Sequence, residues 1–174
     1  MHRFLLLVAA LLLGGAAPSP RPVALRPGER VTLLIDDGGR SSEAARGEAG
    51  ELGPFERSAA AAFMGGAYDY AVGPTAALIG EGLPTPKAVE PGAVRVRLVS
   101  LPRGYTMLIL ENGYRGALRY RAKLKAGAHS GPTDVCQVMP LKYGFETWPY
   151  PISRIELSDL KIEAWSEGQP PVCE

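Results

Sequence analysis

From Leu118 to Ala126 the chain alternates without a break: Leu118, Tyr120, Ala122, Leu124 and Ala126 are apolar, and Arg119, Arg121, Lys123 and Lys125 between them are cationic. A period of two sends successive side chains to opposite faces of an extended strand, so this segment has one face for a core and one for water. Such a strand needs neighbours to pair with and a second layer to cover its apolar face. A packed, mainly β architecture is therefore the first expectation.

Other segments agree. Val94, Val96 and Leu98 alternate with Arg95, Arg97 and Val99 between Pro91-Gly92 and Pro102, which predicts a half-buried strand. Tyr105 to Glu111 predicts a second, largely apolar strand. Asn112-Gly113 follows it directly and predicts a two-residue hairpin turn with positive φ at both central residues, leading into a strand from Tyr114 to Ala126. Thr133 to Met139 predicts a further strand that places Cys136 in the sheet. In Ile152 to Ala164 the apolar parity slips between Leu157 and Leu160, which predicts a bulge or break at Ser158-Asp159.

Before position 91 alanine, glycine and proline dominate. Val31, Leu33 and Ile35 alternate as a strand within Arg30 to Asp36, and Asp37-Gly38-Gly39 reads as a turn. Ser58, four alanines, Phe63 and Met64, ending at Gly65-Gly66, read as one short helix with Ser58 as its cap. From Ala67 to Pro91 recurring prolines and glycines predict irregular chain or short strands. The expected fold is thus an antiparallel immunoglobulin-like β-sandwich with one short helix, irregular over 17–90 and regular over 91–174. No internal repeat, Rossmann, Walker or coiled-coil pattern is present, and no cofactor is expected.

His2 and Arg3 lead into the ten-residue apolar run Phe4 to Leu13, followed by Gly14, Gly15, Ala16 and Ala17. Residues 1–16 read as a secretory signal peptide, since the apolar run is shorter than the roughly 20 residues a bilayer span needs. Cleavage is expected after Ala16, because Pro18 directly follows Ala17. Residues 17–174 suit one domain, and with Arg3 gone their 18 basic and 18 acidic residues balance. Bulk attraction to nucleic acid or to an anionic membrane is not indicated. No later apolar run approaches spanning length, so the expectation is a soluble protein of the periplasm or the secreted fraction, with no transmembrane segment. In that oxidising setting Cys136 and Cys173 are expected to pair. Their disulfide closes a loop of 38 residues, would contribute roughly 3 to 4 kcal/mol through chain entropy, and would tie the Gly168 to Glu174 tail onto the strand carrying Cys136.

Leu110-Glu111-Asn112-Gly113-Tyr114, Thr133 to Pro140, and Glu146-Thr147-Trp148-Pro149-Tyr150-Pro151-Ile152 together resemble small uncharacterised exported proteins of alphaproteobacterial type. The resemblance covers roughly positions 93 to 174. It implies an exported sandwich-like domain and carries over no catalytic residue.

Two constellations are candidates for binding. Arg115, Arg119, Arg121, Lys123 and Lys125 share parity and project cations at intervals of about 6.6 to 7 Å, a row suited to an anionic envelope component. A solvated face or a guarded sheet edge has the same pattern, and Glu111, Glu156 and Glu163 are available to neutralise it across strands. Tyr143, Phe145, Trp148 and Tyr150 crowd into eight residues around two prolines. Trp148 and Tyr150 suggest an aromatic platform, or else a loop packed over the end of the sandwich.

Catalytic chemistry is thinly represented. His129 is the only histidine beyond the leader, and no Gly-x-Ser-x-Gly elbow accompanies it. Metal ligation lacks a ligand set. Asp36, Asp37 and Glu146 offer carboxylates for sugar chemistry, although Asp-Gly after a strand is ordinarily a turn. The sequence therefore reads as an exported non-catalytic binding or accessory module, with an anionic component or another envelope protein as partner. A small carboxylate-dependent hydrolase of an envelope polymer and a structural protein pairing by edge-strand addition are the alternatives.

Overall fold

Strands that are apolar on one side must find cover, and here two antiparallel sheets cover each other. The computed structural model describes residues 21–65, 68–69, 73–74 and 84–174, so the predicted signal peptide lies outside the described residues. In chain order the elements are β1 (Val23–Leu25), β2 (Glu29–Ile35), β3 (Ser41–Glu48), α1 (Pro54–Gly65), β4 (Tyr68–Asp69), β5 (Gly73–Pro74), β6 (Val94–Ser100), β7 (Thr106–Asn112), β8 (Ala117–Ala126), β9 (His129–Thr133), β10 (Tyr143–Trp148) and β11 (Arg154–Glu163). One sheet runs β1-β11-β8-β9 and the other β10-β7-β6-β2-β3, while β4 and β5 form a separate two-residue pair.

The alternation of β8 is realised as expected: Leu118, Tyr120, Ala122 and Leu124 are buried, and Arg121, Lys123 and Lys125 are exposed. Beside them in the same sheet lie Ile155 and Leu157 of β11, and facing them in one core are Val31 and Leu33 of β2, Val94, Val96 and Leu98 of β6, and Leu108 and Leu110 of β7. Each such side chain, taken from water to a fully buried site, contributes about 1.5 to 3 kcal/mol. The parity slip in β11 is a bulge. Ser158 pairs with Arg121, the register then shifts, and Lys161 pairs with Arg119. Asp159, at φ 52°, takes up the extra residue.

The Asn112-Gly113 hairpin does not form. β7 and β8 belong to different sheets, and residues 113–116 carry the chain across. The physical reason lies in the two residues themselves. The fully buried Asn112 carboxamide nitrogen lies 2.9, 3.0 and 3.1 Å from the carbonyls of Gly116, Val138 and Met139, and its oxygen accepts from the Tyr114 amide at 3.1 Å. Gly113 continues the pairing with β6: its N–H donates to the Ala93 carbonyl at 2.8 Å and its carbonyl accepts from Gly92 at 2.9 Å. A Cβ on Gly113 would lie 2.0 Å from the Glu90 carbonyl oxygen and 2.6 Å from that of Ala93. Glycine is required there for close approach rather than for a turn. The tight hairpin is β8–β9, where Ala126 faces His129 across Gly127 and Ala128, and Gly127 supplies φ 57°.

The described residues 21–65 are more regular than expected, and much of the predicted irregular stretch Ala67 to Pro91 lies outside the described residues. β1 joins β11, and β2 sits between β6 and β3. β3 escapes a reading by pattern because Ser41–Glu48 has no apolar alternation and stays almost wholly exposed. Thr133 to Met139 is not one strand: β9 ends at Thr133, and beyond it only the bridges Cys136–Cys173 and Leu118–Val138 occur. The helix starts four residues earlier than Ser58. Pro54 occupies its first position, where no N–H is missed, and the Glu56 carboxylate turns back to accept the Gly53 amide at 2.8 Å. Ser58 lies within the helix, its hydroxyl donating to the Pro54 carbonyl at 3.1 Å.

α1 packs on the outer face of the five-stranded sheet, so β6 and β7 are buried on both faces. Ala60 joins Val99, Leu101, Met107 and Ile109 in a second core. Phe55 meets Tyr143 and Phe145 at centroid distances of 5.6 and 5.8 Å.

Gly113→Ala is expected to destabilise the protein by more than about 2 kcal/mol, because the added methyl must displace two backbone carbonyls. Asn112→Ala should cost a comparable amount through three carbonyls left short of a donor. Urea titration of both variants checks this; a Gly113→Ala cost of about 1 kcal/mol or less would fit an ordinary turn and contradict the crossing.

Candidate functional site

The outward face of the four-stranded sheet carries most of the cations singled out by parity. Arg119, Arg121, Lys123 and Lys125 occupy alternate positions of β8, and the antiparallel register sets Lys161, Ser158, Glu156 and Arg154 of β11 opposite them in turn. Arg115 is not part of the row: it lies exposed in the 113–116 crossing, off the ladder.

The row divides into two halves. At one end Arg119 meets Glu163 at 3.6 Å and is in direct contact with the Glu174 carboxylate, and Arg121 lies 3.7 Å from Asp159 and 3.9 Å from Glu174. Lys161 adds a contact to Glu163 at 2.7 Å. The surrounding cations hold the Glu163 carboxyl below the usual carboxylate range, Lys161 first through its hydrogen bond. At the other end Lys123 and Lys125 are exposed with no acid within ion-pairing distance among the described residues. Glu156 faces Lys123 across the strands, but its carboxylate is taken by Arg154 at 2.9 Å.

The tail supplies one of the three acids at the Arg119–Arg121 end. Cys136 and Cys173 form the expected disulfide. On either side of it the Val135 and Gln137 amides donate to the Glu174 and Val172 carbonyls at 2.8 and 2.9 Å, and the Glu174 amide returns a bond to Val135 at 2.9 Å. The tail thereby lies antiparallel beside 135–137, joined by the isolated bridge Cys136–Cys173 and these three backbone hydrogen bonds. Its last side chain rests on Arg119 and Arg121, at the rim of a groove of about 460 Å³ between Gly38-Gly39, β8 and the β11 bulge.

The aromatic platform is not formed. Trp148 is 7 % exposed and belongs to the inter-sheet core, its indole N–H donating to the Thr133 hydroxyl at 3.1 Å. Tyr150 is 41 % exposed on the loop beyond β10. That loop is stitched down by Thr106, whose hydroxyl donates to the Tyr150 carbonyl at 3.1 Å and accepts the Ile152 amide at 3.0 Å.

The carboxylates are held apart. Asp36 closes its own turn, accepting the Gly38 and Arg40 amides at 3.0 and 2.9 Å and the Arg40 guanidinium at 2.9 Å, and these Arg40 contacts hold its carboxyl below the usual range. Asp37 is exposed beside it. Glu146 is on β10, three strand spacings or about 14 Å across the sheet, and it is level in register with Glu29, so Asp36 lies a further seven residues or about 23 Å along the strand direction. It points to the core side, where its carboxylate accepts the Cys136 amide at 2.8 Å and lies 3.4 Å from the Tyr120 hydroxyl. Burial pushes its carboxyl up to about 7, against the opposing pull of those two hydrogen bonds. Burial, reinforced by Glu146, drives the Tyr120 phenol well above its ordinary value. His129 is exposed on β9.

A second charged cluster escaped the sequence reading. Arg97, on the outward parity of β6, is buried beneath α1, where it pairs with Glu56, lies 3.8 Å from Glu111, and donates to the Ala49 carbonyl at 3.3 Å. Arg95 continues the network to Glu111 at 2.9 Å and Glu90 at 2.5 Å. The cluster pins the first turn of α1 to the sheet beside a cleft of about 370 Å³. Its one local signal is Gly53-Pro54-x-Glu56, a helix start with a carboxylate at the third position.

Because the Glu146 carboxyl is raised from 4.5 to about 7, the native protein holds a proton that the unfolded chain has lost between those values. Its contribution is complete below pH 4.5, declines as pH rises through 7 and is absent above, a total on the order of 3 kcal/mol. Glu146→Gln should flatten that decline relative to the parent, as read by urea midpoints from pH 4 to 8. Parallel pH profiles for the two proteins would show that Glu146 titrates normally.

Comparison of the chain with protein-family models, with curated proteins and with solved structures finds no match.

Proposed function

We propose that the protein is an exported, non-catalytic binding module of the bacterial cell envelope, built as an immunoglobulin-like sandwich, and that the outward face of β8 receives an anionic envelope component. The observation that carries this reading is the unneutralised pair Lys123 and Lys125. They stand on consecutive outward positions of a rigid strand, and the acid nearest in register is engaged by Arg154. Two ammonium groups so placed attract an anion without first giving up a partner. Export is supported by the amino-terminal pattern of residues 1–16, by the disulfide and by the likeness to small exported proteins of alphaproteobacterial type. The two stacked antiparallel sheets support the immunoglobulin-like description.

The alternatives draw less support. A hydrolase would need carboxylates that converge, whereas Asp36 serves an exposed turn and Glu146 faces the interior. Strand addition at β3 is opposed by the strand's own inward face. Arg46 and Glu43 sit opposite Val31 and Leu33, pair at 2.6 Å, and Arg46 reaches the Ala24 carbonyl at 3.0 Å. Inward-pointing charge and a bulge at Thr32–Leu33 are devices that blunt an edge.

The exported protein should co-sediment with phosphatidylglycerol vesicles or be retained by a soluble polyanion at low salt. Binding should weaken as salt rises, since exposed charges are screened over about 8 Å at physiological ionic strength. Lys123→Glu with Lys125→Glu should abolish it while changing stability by no more than about 1 kcal/mol. Binding that persists in the double variant, or that ignores salt, would refute this assignment.

A further inference from the structure

We propose that the slot occupied by Val172–Glu174 is a binding site for an extended acidic peptide, and that the chain's own tail fills it as long as the Cys136–Cys173 disulfide is closed. The inference rests on the reading of the protein as a binding module, and it names a ligand class for a different part of the same sheet face. Three features make the slot a recognition site. The backbone of 135–137 presents two donors and an acceptor in strand register, which the tail satisfies at Val135 and Gln137. The Gln137 side-chain oxygen adds a bond to the Val172 amide at 3.2 Å. Beyond the backbone lie Arg119 and Arg121, and the Glu174 carboxylate is seated on both. Main-chain pairing with a side-chain pocket at its end is the general grammar of strand-addition recognition.

The tail is held by attachment rather than by packing. Residues 166–174 are exposed, and Val172 keeps 44 % of its surface. The disulfide holds the tail at high local concentration on its slot, and this excludes a competing peptide. An external dithiol opens the latch by donating two electrons and two protons. The Cys136–Cys173 Sγ–Sγ bond breaks to give two thiols, and the dithiol is oxidised to its own disulfide. Without the tail, Arg119 and Arg121 lose one of their acidic neighbours, while Asp159 and Glu163 remain. The open slot is then more cationic and has free strand-pairing groups at 135–137.

The test uses a fluorescent peptide copying residues 169–174 with serine in place of cysteine. It should not bind the oxidised protein. It should bind protein reduced with dithiothreitol, and also the Cys173→Ser variant, with circular dichroism establishing that each remains folded. Substituting glutamine for the peptide's glutamate should weaken binding at least tenfold. Amide exchange at Val135 and Gln137 should be slow in the oxidised protein and fast after reduction when no peptide is present. Continued protection of those amides in the folded reduced protein would overturn the latch. Absence of peptide binding with the amides unprotected, or equal affinity for the glutamine peptide, would overturn the acidic-peptide site. Loss of the fold on opening the disulfide would show the tail to be structural and likewise overturn it. Lys123→Glu with Lys125→Glu, which removes the polyanion site, should leave peptide binding within twofold; loss there would place the peptide on the Lys123–Lys125 pair instead of in the slot and overturn the assignment. Failure of the polyanion test with peptide binding intact would reject the lysine pair alone.

Discussion

The fold turns on a buried carboxamide. Where β7 ends, Asn112 gathers the carbonyls of Gly116, Val138 and Met139 around its nitrogen, and Gly113 runs against the backbone of residues 90–93. A chain leaving β7 at this point cannot fold back beside it. It crosses to the other sheet, and β8 consequently turns its apolar side toward β6 and β7 and its cations outward. Had the hairpin formed, the same alternation would have put those cations on the outer face of the five-stranded sheet, the side that α1 occupies.

Covering that face changes the chemistry of charged residues. Arg97 has the same outward parity as Arg95, yet it lies under the helix and is compensated by Glu56 and Glu111. Removing one partner from such a buried set leaves an uncompensated charge, typically at a cost of about 3 to 5 kcal/mol. The cations of β8 have no helix over them and meet acids only at one end, where the tail, the β11 bulge and Glu163 bring them. Location beneath a second layer, not residue type, separates a structural arginine from one available to a ligand.

The disulfide links these two regions. Cys136 donates its amide to Glu146 inside the sandwich, while its sulfur holds the tail whose Glu174 lies on Arg119 and Arg121 outside. The covalent bond thus joins a proton-binding carboxyl near the core to the electrostatics of the exposed sheet. Tyr120 adds to the connection, since its hydroxyl faces Glu146 while its neighbours Arg119 and Arg121 face the tail.

What the sequence determined by itself was the set of elements whose periodicity is enforced by water. The two-sided character of β8, the alternation of β2 and β6, the bulge at Ser158-Asp159 and the pairing of Cys136 with Cys173 were all legible, because each depends on local parity or on there being just two cysteines to pair. β3 was not legible, since a strand paired on one edge and exposed on both faces is under no demand for apolar residues. The route of the chain at Asn112-Gly113, the burial of Trp148 and Arg97, the separation of Asp36 from Glu146 and the seating of Glu174 on Arg119 and Arg121 were decided only by tertiary structure. Each depends on which distant backbone or side chain arrives to satisfy a polar group, and a one-dimensional pattern carries no record of that arrival.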